Sequence, residues 1–347
     1  MRAPRHWQDA DNWLAKALTP VASLYASISH VRAGMVVPQR ASIPVVCVGN
    51  ITAGGSGKTP VAIAIAKRLA ALGHHPAFLT RGYGGRLPGP LLVNADRARA
   101  IDVGDEPLLL ARSFPTIVSA NRPKGADTAG VEGASVVVMD DGFQNPSLHK
   151  DASLVVVDAD SGLGNGLLIP AGPLRETADQ ALSRADGLVI MGRADKADNT
   201  IALARSRDIP VFGGTLAPTG DLDQWRGKRV IAFAGIGRPE KFFETLASLG
   251  ADIREAQVFG DHHAFTDDEA QALLSRARAG ALTLVTTEKD MARLPGSGHA
   301  GALAELRSHA RTLPVEVTFD DPHTLDQLLK ARINAASQAG DYKAFNR

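Results

Sequence analysis

The chain has one cysteine, no long apolar run and almost no net charge. A single cysteine in 347 residues excludes an intrachain disulfide framework and fits a reducing compartment. Cys47 itself lies inside an apolar run, where a buried inert thiol is expected. No apolar stretch of about eighteen residues occurs, which excludes a conventional membrane-spanning helix. Asp9, Asp11 and Lys16 interrupt any signal-peptide core near the N-terminus, so the chain is expected to stay cytosolic. A formal charge of +1 leaves no global basic field, so no nucleic-acid partner is expected and any anionic partner must be met by local clusters. Internal repeats and low-complexity segments are also missing.

What is present is enough apolar residue, 44% of the chain, to fill two α/β cores. The organising stretch is Pro44 to Pro60. A β-branched apolar run ends at Gly49, a glycine-rich loop follows, and Gly57-Lys58-Thr59 opens an alanine-rich helical stretch. This is the strand, loop and helix order of a phosphate-binding loop. Gly54, Gly55, Ser56, Gly57, Lys58, Thr59 and Pro60 would wrap backbone N–H groups around phosphate oxygens at a helix N-terminus. Lys58 would reach the β- and γ-phosphates, and the Thr59 hydroxyl would ligate Mg²⁺. The strict pattern wants glycine where Thr52 stands. The bland alternative is an ordinary glycine-rich turn with a solvated lysine.

Short apolar strands then alternate with helices and loops, which predicts a P-loop NTPase-like, doubly wound parallel sheet of the α/β class. Ligands of such sheets sit beyond the carboxyl ends of the strands. Arg81, Asp105, Arg122, Asp140 and Asp141 all fall at such ends. Residues 217–228 read as a linker, after which the alternation restarts and closes with a strand at Val315 to Phe319. The expected organisation is an N-terminal amphipathic helical segment (1–40), a P-loop domain (41–216), the linker, and a smaller α/β domain (229–347).

Asp140-Asp141 follows the run Ser135 to Met139, the place where a phosphate-loop enzyme holds Mg²⁺; an Asp pair there also serves as a turn or helix cap. Asp105 and Glu106 precede a helix with proline in its first turn. On pattern alone the N-cap reading leads, and a general base is the functional alternative. Asp261-His262-His263 sets a carboxylate beside two imidazoles, better suited to pairing with a carboxylate of the other domain than to zinc. Asp195-Lys196-Ala197-Asp198 is similar to a guanine-reading motif, but Asp at the first position loses the amide donor, and a solvated turn is expected.

Residues 7–33 carry an amphipathic stripe from Leu14 to Val31 with Trp7, Trp13 and basic flanks. Thr19-Pro20 predicts two helices or a kink. From pattern alone the stripe fits a membrane interface and packing on its own domain equally.

Together the motifs resemble one family, the tetraacyldisaccharide 4′-kinases, which phosphorylate the lipid A precursor. The resemblance rests on Gly49-Asn50 with Gly54 to Pro60, Arg81-Gly82-Tyr83, Gly104-Asp105-Glu106-Pro107 and Asp140-Asp141-Gly142-Phe143-Gln144. It continues through the specific run Gly164 to Glu176, then Gly235-Ile236-Gly237-Arg238-Pro239, Asp261-His262-His263 and Thr286-Thr287-Glu288-Lys289-Asp290. The motifs keep family order over nearly the whole chain, and the Thr52 departure is what this family looks like. The resemblance implies ATP, Mg²⁺ and transfer to the 4′-hydroxyl of a tetraacylated glucosamine disaccharide 1-phosphate. It also implies a peripheral location at the cytoplasmic face of the bacterial inner membrane, which makes the N-terminal stripe the segment suited to the bilayer. Residue by residue, it implies that Lys58 and Thr59 hold phosphate and metal. Asp105 and a histidine of the Asp-His-His motif, taken as His262, match a dyad that deprotonates the sugar hydroxyl. Asp140 and Asp141 match the acidic pair near Mg²⁺, and Arg81, Arg122 and Glu176 match polar substrate-side positions. Asn145 departs from the histidine of many members, so no role of that histidine carries over. The competing readings are a GTP-dependent metallochaperone-type switch and a soluble small-molecule kinase.

Overall fold

A computed structural model describes residues 4–193, 197–295 and 300–338, apart from the side chains of residues 29 and 30. Its strands are β1 (Val45–Gly49), β2 (Pro76–Thr80), β3 (Leu91–Leu92), β4 (Thr116–Val118), β5 (Val136–Asp140), β6 (Ala152–Asp158) and β7 (Gly187–Met191). They continue with β8 (Val211–Pro218), β9 (Arg229–Ala234), β10 (Asp252–Val258), β11 (Thr283–Thr286), β12 (Arg311–Thr312) and β13 (Val315–Phe319). Nine of them form one sheet in the order β13-β8-β7-β6-β1-β5-β2-β4-β3, and the other four form a second sheet, β10-β9-β11-β12. The large sheet is parallel except at its two edges, where β13 and β3 run antiparallel to β8 and β4.

The strands of the large sheet are buried on both faces, as continuous apolar runs require. Their period of two sends alternate residues to opposite sides. Val45 and Cys47 of β1 join one core with Ala126, Ala129, Leu182 and Ala204. Val46 and Val48 join the other with Val61, Ile65 and Leu69 of the helix Lys58–Ala71. Helices therefore cover both faces, the doubly wound arrangement expected. Strand β1 lies between β5 and β6, so the crossover direction reverses beside it and a crevice opens at its carboxyl end.

Three expectations need correction. The closing strand β13 does not belong to the small sheet: it pairs with β8, and the helix Pro322–Gln338 that follows buries Leu325, Leu329 and Ile333 against the large sheet. The alternation that suggested a small-sheet strand is local, whereas the free edge that β13 completes lies more than ninety residues back in the chain, since Val315 pairs with Pro218. The stretch expected as a linker begins inside β8 and carries Trp225, which is buried in the small unit's core with Val230, Phe242 and Leu246. Finally, of the two outcomes expected at Thr19-Pro20 the break into two helices does not occur: Trp13–Gly34 is one helix with Pro20 inside it. Asn12 caps it by accepting from Leu14 N–H, and Thr19, the expected cap, instead donates its hydroxyl to the Ala15 carbonyl.

Cys47 is fully buried in β1, and burial pushes its thiol up to about 12. The thiolate is the reacting form, so native protein should not be labelled by iodoacetamide at pH 8 over hours, and one label per chain should appear in denaturant. Labelling of the native state at the denatured rate would show that the site opens.

Candidate active site

The loop after β1 shows why Thr52 can stand where glycine is usual. Asn50 is fully buried and donates its side-chain N–H to the Thr52 carbonyl at 2.7 Å. Thr52 pairs with Leu174 in an antiparallel bridge, flanked by Ala53 N–H to the Pro173 carbonyl and Arg175 N–H to the Ile51 carbonyl. This part of the loop is thus an extended segment braced from the side, which any L-residue adopts. Left-handed backbone begins only at Gly54 (φ 126°) and Gly57 (φ 82°), where the chain turns into the helix.

At the crevice the predicted residues converge. Thr59 donates its hydroxyl to Asp140 Oδ2 at 2.9 Å, and Lys58 Nζ lies 3.7 Å from Asp141 Oδ1. Asp140 ends β5 and is buried; its other oxygen, Oδ1, has no hydrogen-bond partner. Burial pushes the Asp140 carboxyl up to about 7, aided by Glu106 and Asp141 and opposed by Lys58 and Thr59. A buried carboxylate with one unmet oxygen beside a hydroxyl fits a hard divalent cation. Mg²⁺ takes one or two protein oxygens and fills the rest with phosphate and water. Among the described residues no cluster of three or more His, Cys, Asp or Glu is arranged for a metal. Asp141 has left-handed backbone (φ 53°), uncommon away from glycine and typical of functional turns.

The arginines and Glu176 are placed differently from one another. Arg122 is buried, with one N–H on the Ser119 carbonyl and Nε unpartnered. Burial pushes it down to about 10, with Arg81 adding to the fall and Asp141 resisting it, so both arginines share one electrostatic neighbourhood with the acidic pair. Arg81 is exposed. Glu176 accepts from Gln144 at 3.1 Å and from Arg184 at 2.7 Å. It therefore braces Gln144, whose amide also donates to the Asn50 carbonyl at 2.7 Å. Its neighbour Arg175, which residue pattern did not single out as a site residue, is the one facing Asp141, at 3.4 Å. Asn145 spends its side chain on a local turn, accepting from Ser147 N–H and Oγ.

The small sheet supplies the rest. Asp105 starts the helix Asp105–Leu110, and its side chain makes no N-cap bond across the first turn. Instead His262 Nδ1 lies 3.0 Å from Asp105 Oδ2, the pairing expected between the two units. His262 also has left-handed backbone (φ 58°). His263 turns away to Glu269, so the adjacent imidazoles diverge and do not share a ligand. Burial raises the Asp105 carboxyl, but Arg293, Lys289 and His262 outweigh it and hold the group below the usual carboxylate range. A second clasp joins the units where Arg238 grips Asp158 at the end of β6 through two bonds of 2.9 Å. Of the guanine-like motif, residues 195 and 196 lie outside the described residues, and Asp198 starts a helix.

The N-terminal turn Arg5–Gln8 is bolted to the Gly164 to Glu176 run. Trp7 Nε1 donates to the Pro170 carbonyl at 3.1 Å, Asn165 N–H donates to the Trp7 carbonyl, and the Asn165 amide donates to the His6 carbonyl. The same run braces the phosphate loop through Pro173 to Arg175.

Strand, glycine loop, helix, acidic strand end and a carboxylate partnered from a second unit define a P-loop nucleotide-binding α/β protein with phosphotransfer chemistry. Residues 14–334 match the family model for the tetraacyldisaccharide-1-P 4′-kinases, LpxK, and the chain belongs to that family. It is 51% identical over 325 residues to the tetraacyldisaccharide 4′-kinase of Parvibaculum lavamentivorans, covering 92% of this chain and 95% of that protein. It is 47% identical over 337 residues to the enzyme of the same name from Rhodopseudomonas palustris, covering 97% and 98%. Among solved structures it is similar to LpxK from Aquifex aeolicus in complex with ATP, with TM-score 0.71 and 26% identity over 92% of this chain and 99% of that one.

Gly164 has φ 60°, and an added Cβ would meet the Trp7 carbonyl oxygen at 2.6 Å and Pro173 Cγ at 2.7 Å. Gly164→Ala should cost about 1–3 kcal/mol from backbone strain alone. The expected result is a Tm lowered by several degrees and faster proteolysis before residue 13. An unchanged cleavage pattern would show that the bolt does not hold the turn.

Proposed function

We propose that this chain transfers the γ-phosphate of ATP to the 4′-hydroxyl of a tetraacylated glucosamine disaccharide 1-phosphate, the lipid A precursor. The observation that carries the reading is the pairing of Asp105 with His262 at 3.0 Å beside the phosphate loop. Glu106, next in chain to Asp105, acts electrostatically on Asp140, which keeps base and metal site within one field. Backbone N–H groups of Gly54 to Thr59 hold the phosphates, and Lys58 neutralises the transferring group. Thr59 and Asp140, with Asp141 alongside, would hold Mg²⁺, which when bound offsets charge on the β- and γ-phosphates. Arg81, Arg122 and Arg175 add positive potential facing the acidic pair. The acceptor O–H proton passes to Asp105 while oxygen bonds to phosphorus, the bond to the β-phosphate oxygen breaks, and ADP leaves. The transition state of such transfers is loose, so the carboxylate need not be strongly basic to serve. Because His262 comes from the small unit, turnover depends on the two units staying closed.

The lipid acceptor also gives the N-terminal helix a purpose. No helix among the described residues is long and apolar enough to cross a membrane. Yet Trp13, Leu24, Ile28, Val31 and Val37 are each more than half exposed, and among the described side chains of the helix only Ala15 and Ala22 are buried. Such a stripe with Lys16, Arg32 and Arg40 nearby supports peripheral docking on the cytoplasmic face of the inner membrane, and disfavours a soluble small-molecule kinase.

Labelled γ-phosphate should appear in lipid only when ATP, Mg²⁺ and the disaccharide 1-phosphate are all present; turnover of GTP without acceptor would favour the nucleotide switch. Asp105→Asn should lower kcat about 10²- to 10⁴-fold with ATP affinity retained. A collapse of ATP affinity with turnover preserved would move Asp105 into the nucleotide site. Leu24→Glu with Ile28→Glu should weaken co-sedimentation with anionic vesicles about tenfold or more, while leaving turnover of detergent-dispersed acceptor intact. Undiminished sedimentation would remove the helix from the membrane contact.

A further inference from the structure

Two side chains of the small unit bring three nitrogens to one oxygen. Asp105 Oδ2 receives Arg293 Nε at 2.9 Å, Arg293 Nη2 at 2.8 Å and His262 Nδ1 at 3.0 Å. Among the described residues the other oxygen, Oδ1, accepts only from the N–H of the adjacent residue Glu106, at 3.1 Å. Arg293 is itself held from behind. Its Nη1 donates to Asp290 Oδ1 at 2.7 Å and to the Gly235 carbonyl at 2.6 Å, and its side chain is only 5% exposed. Asp290 in turn is fully buried and accepts the Thr287 hydroxyl at 2.7 Å, while Thr287 caps the helix Glu288–Arg293 by accepting from Asp290 N–H. The Thr286 to Asp290 motif therefore ends in a guanidinium three residues on that is pinned on one side and clamps the base on the other.

We propose that Arg293 is the positioning residue for Asp105: pinned by Asp290 and Gly235, its guanidinium holds Oδ2 and presents Oδ1 as the oxygen that takes the acceptor's proton. The inference rests on Asp105 being the base, as proposed above. A carboxylate with one oxygen saturated by three donors has a single productive orientation, and orientation of this kind is worth about 10²-fold where a misplacement near 1 Å removes it. A lysine in its place would keep the charge but not the fork, because only a guanidinium can reach Oδ2 twice and Asp290 and Gly235 at once. The arrangement also gives the contact between units a chemical role: the helix Glu288–Arg293 packs on the helix Asp105–Leu110, and Ala292 shares an apolar cluster with Val103 and Leu108. When the units part, Asp105 loses its orienting partners together.

The charged groups facing Asp105 are Arg293 and Lys289 from one helix, His262 with Asp261 behind it from the loop after β10, and Glu106 on its own helix. Removing the guanidinium leaves burial as the dominant influence on the carboxyl, so its titration should rise. Four enzymes compared across pH, with lipid acceptor and ATP, test the proposal: wild type, Arg293→Met, Asp105→Asn and the double variant. Arg293→Met should lower kcat about 100-fold with KM for ATP little changed, and move the acidic limb of kcat/KM upward. In the Asp105→Asn background the same substitution should add almost nothing. Arg293→Lys keeps the buried cation and covers the case in which the methionine variant does not fold; it should lower kcat about tenfold while the acidic limb stays low. Wild-type kcat in Arg293→Lys, or a loss from Arg293→Met that adds in full to that of Asp105→Asn, would overturn the positioning role. Wild-type turnover by Asp105→Asn alone would instead overturn the base assignment on which it stands.

Discussion

Strand β1 is hydrogen-bonded along both edges, to β5 and to β6, and all five of its residues are buried. A strand so enclosed has one exit, at its carboxyl end, and the chain must turn there over the ends of its two neighbours. The neighbours end in Asp140 and Asp158, so the loop after Gly49 is delivered between two carboxylates. One of them faces the helix N-terminus and the Thr59 hydroxyl, and the other anchors the second unit through Arg238. Nucleotide site and inter-unit clasp thus follow from one packing constraint, the burial of a β-branched strand on both faces.

The site beyond that strand is a balance of charge around one buried carboxylate, Asp140, and one buried guanidinium, Arg122. Glu106 and Asp141 repel Asp140, while Lys58, Arg122 and Arg175 offset the acidic pair and Arg81 acts on Arg122. Neither set is fully compensated by the other: Asp140 Oδ1 and Arg122 Nε are both buried and unpartnered. Unmet groups of both signs in one crevice suit a ligand that carries both signs, a polyphosphate with its divalent cation. At Asp105 the balance is the reverse, because partners from the small unit oversupply positive charge. The result is a carboxylate kept ionised and directed rather than one made strongly basic, which suits transfer through a loose transition state.

Much of this was legible along the chain. Short continuous apolar runs identified the strands, and the glycine loop, the acidic pair and the Asp-His-His motif each lie within a few consecutive residues. The readings that needed correction share a cause. Val315 to Phe319 looks like any short strand, and only the free edge of β8 decides which sheet it joins. Trp225 sits among turn residues, and its burial comes from helix Pro239–Ser248 and β9 closing over it. Pro20 reads as a helix start because proline cannot accept the place of an N–H donor in a ladder, yet Asn12 already caps the helix upstream.

The amino-acid sequence by itself determined the strand and helix periods, the phosphate loop, the acidic strand end and the family, because each is carried by neighbouring residues and by backbone preferences acting over a few positions. Tertiary structure alone decided what else stands against Asp105. His262, 157 residues away in the chain, was paired with it by the family resemblance, whereas Arg293 is 188 residues away and no local pattern marks it as a partner. Arg293 in particular sits at the end of an ordinary short helix, where a basic residue is expected merely to favour the helix dipole. Its role arises only when two separately wound sheets close and burial leaves the guanidinium nowhere to go but the carboxylates at 105 and 290.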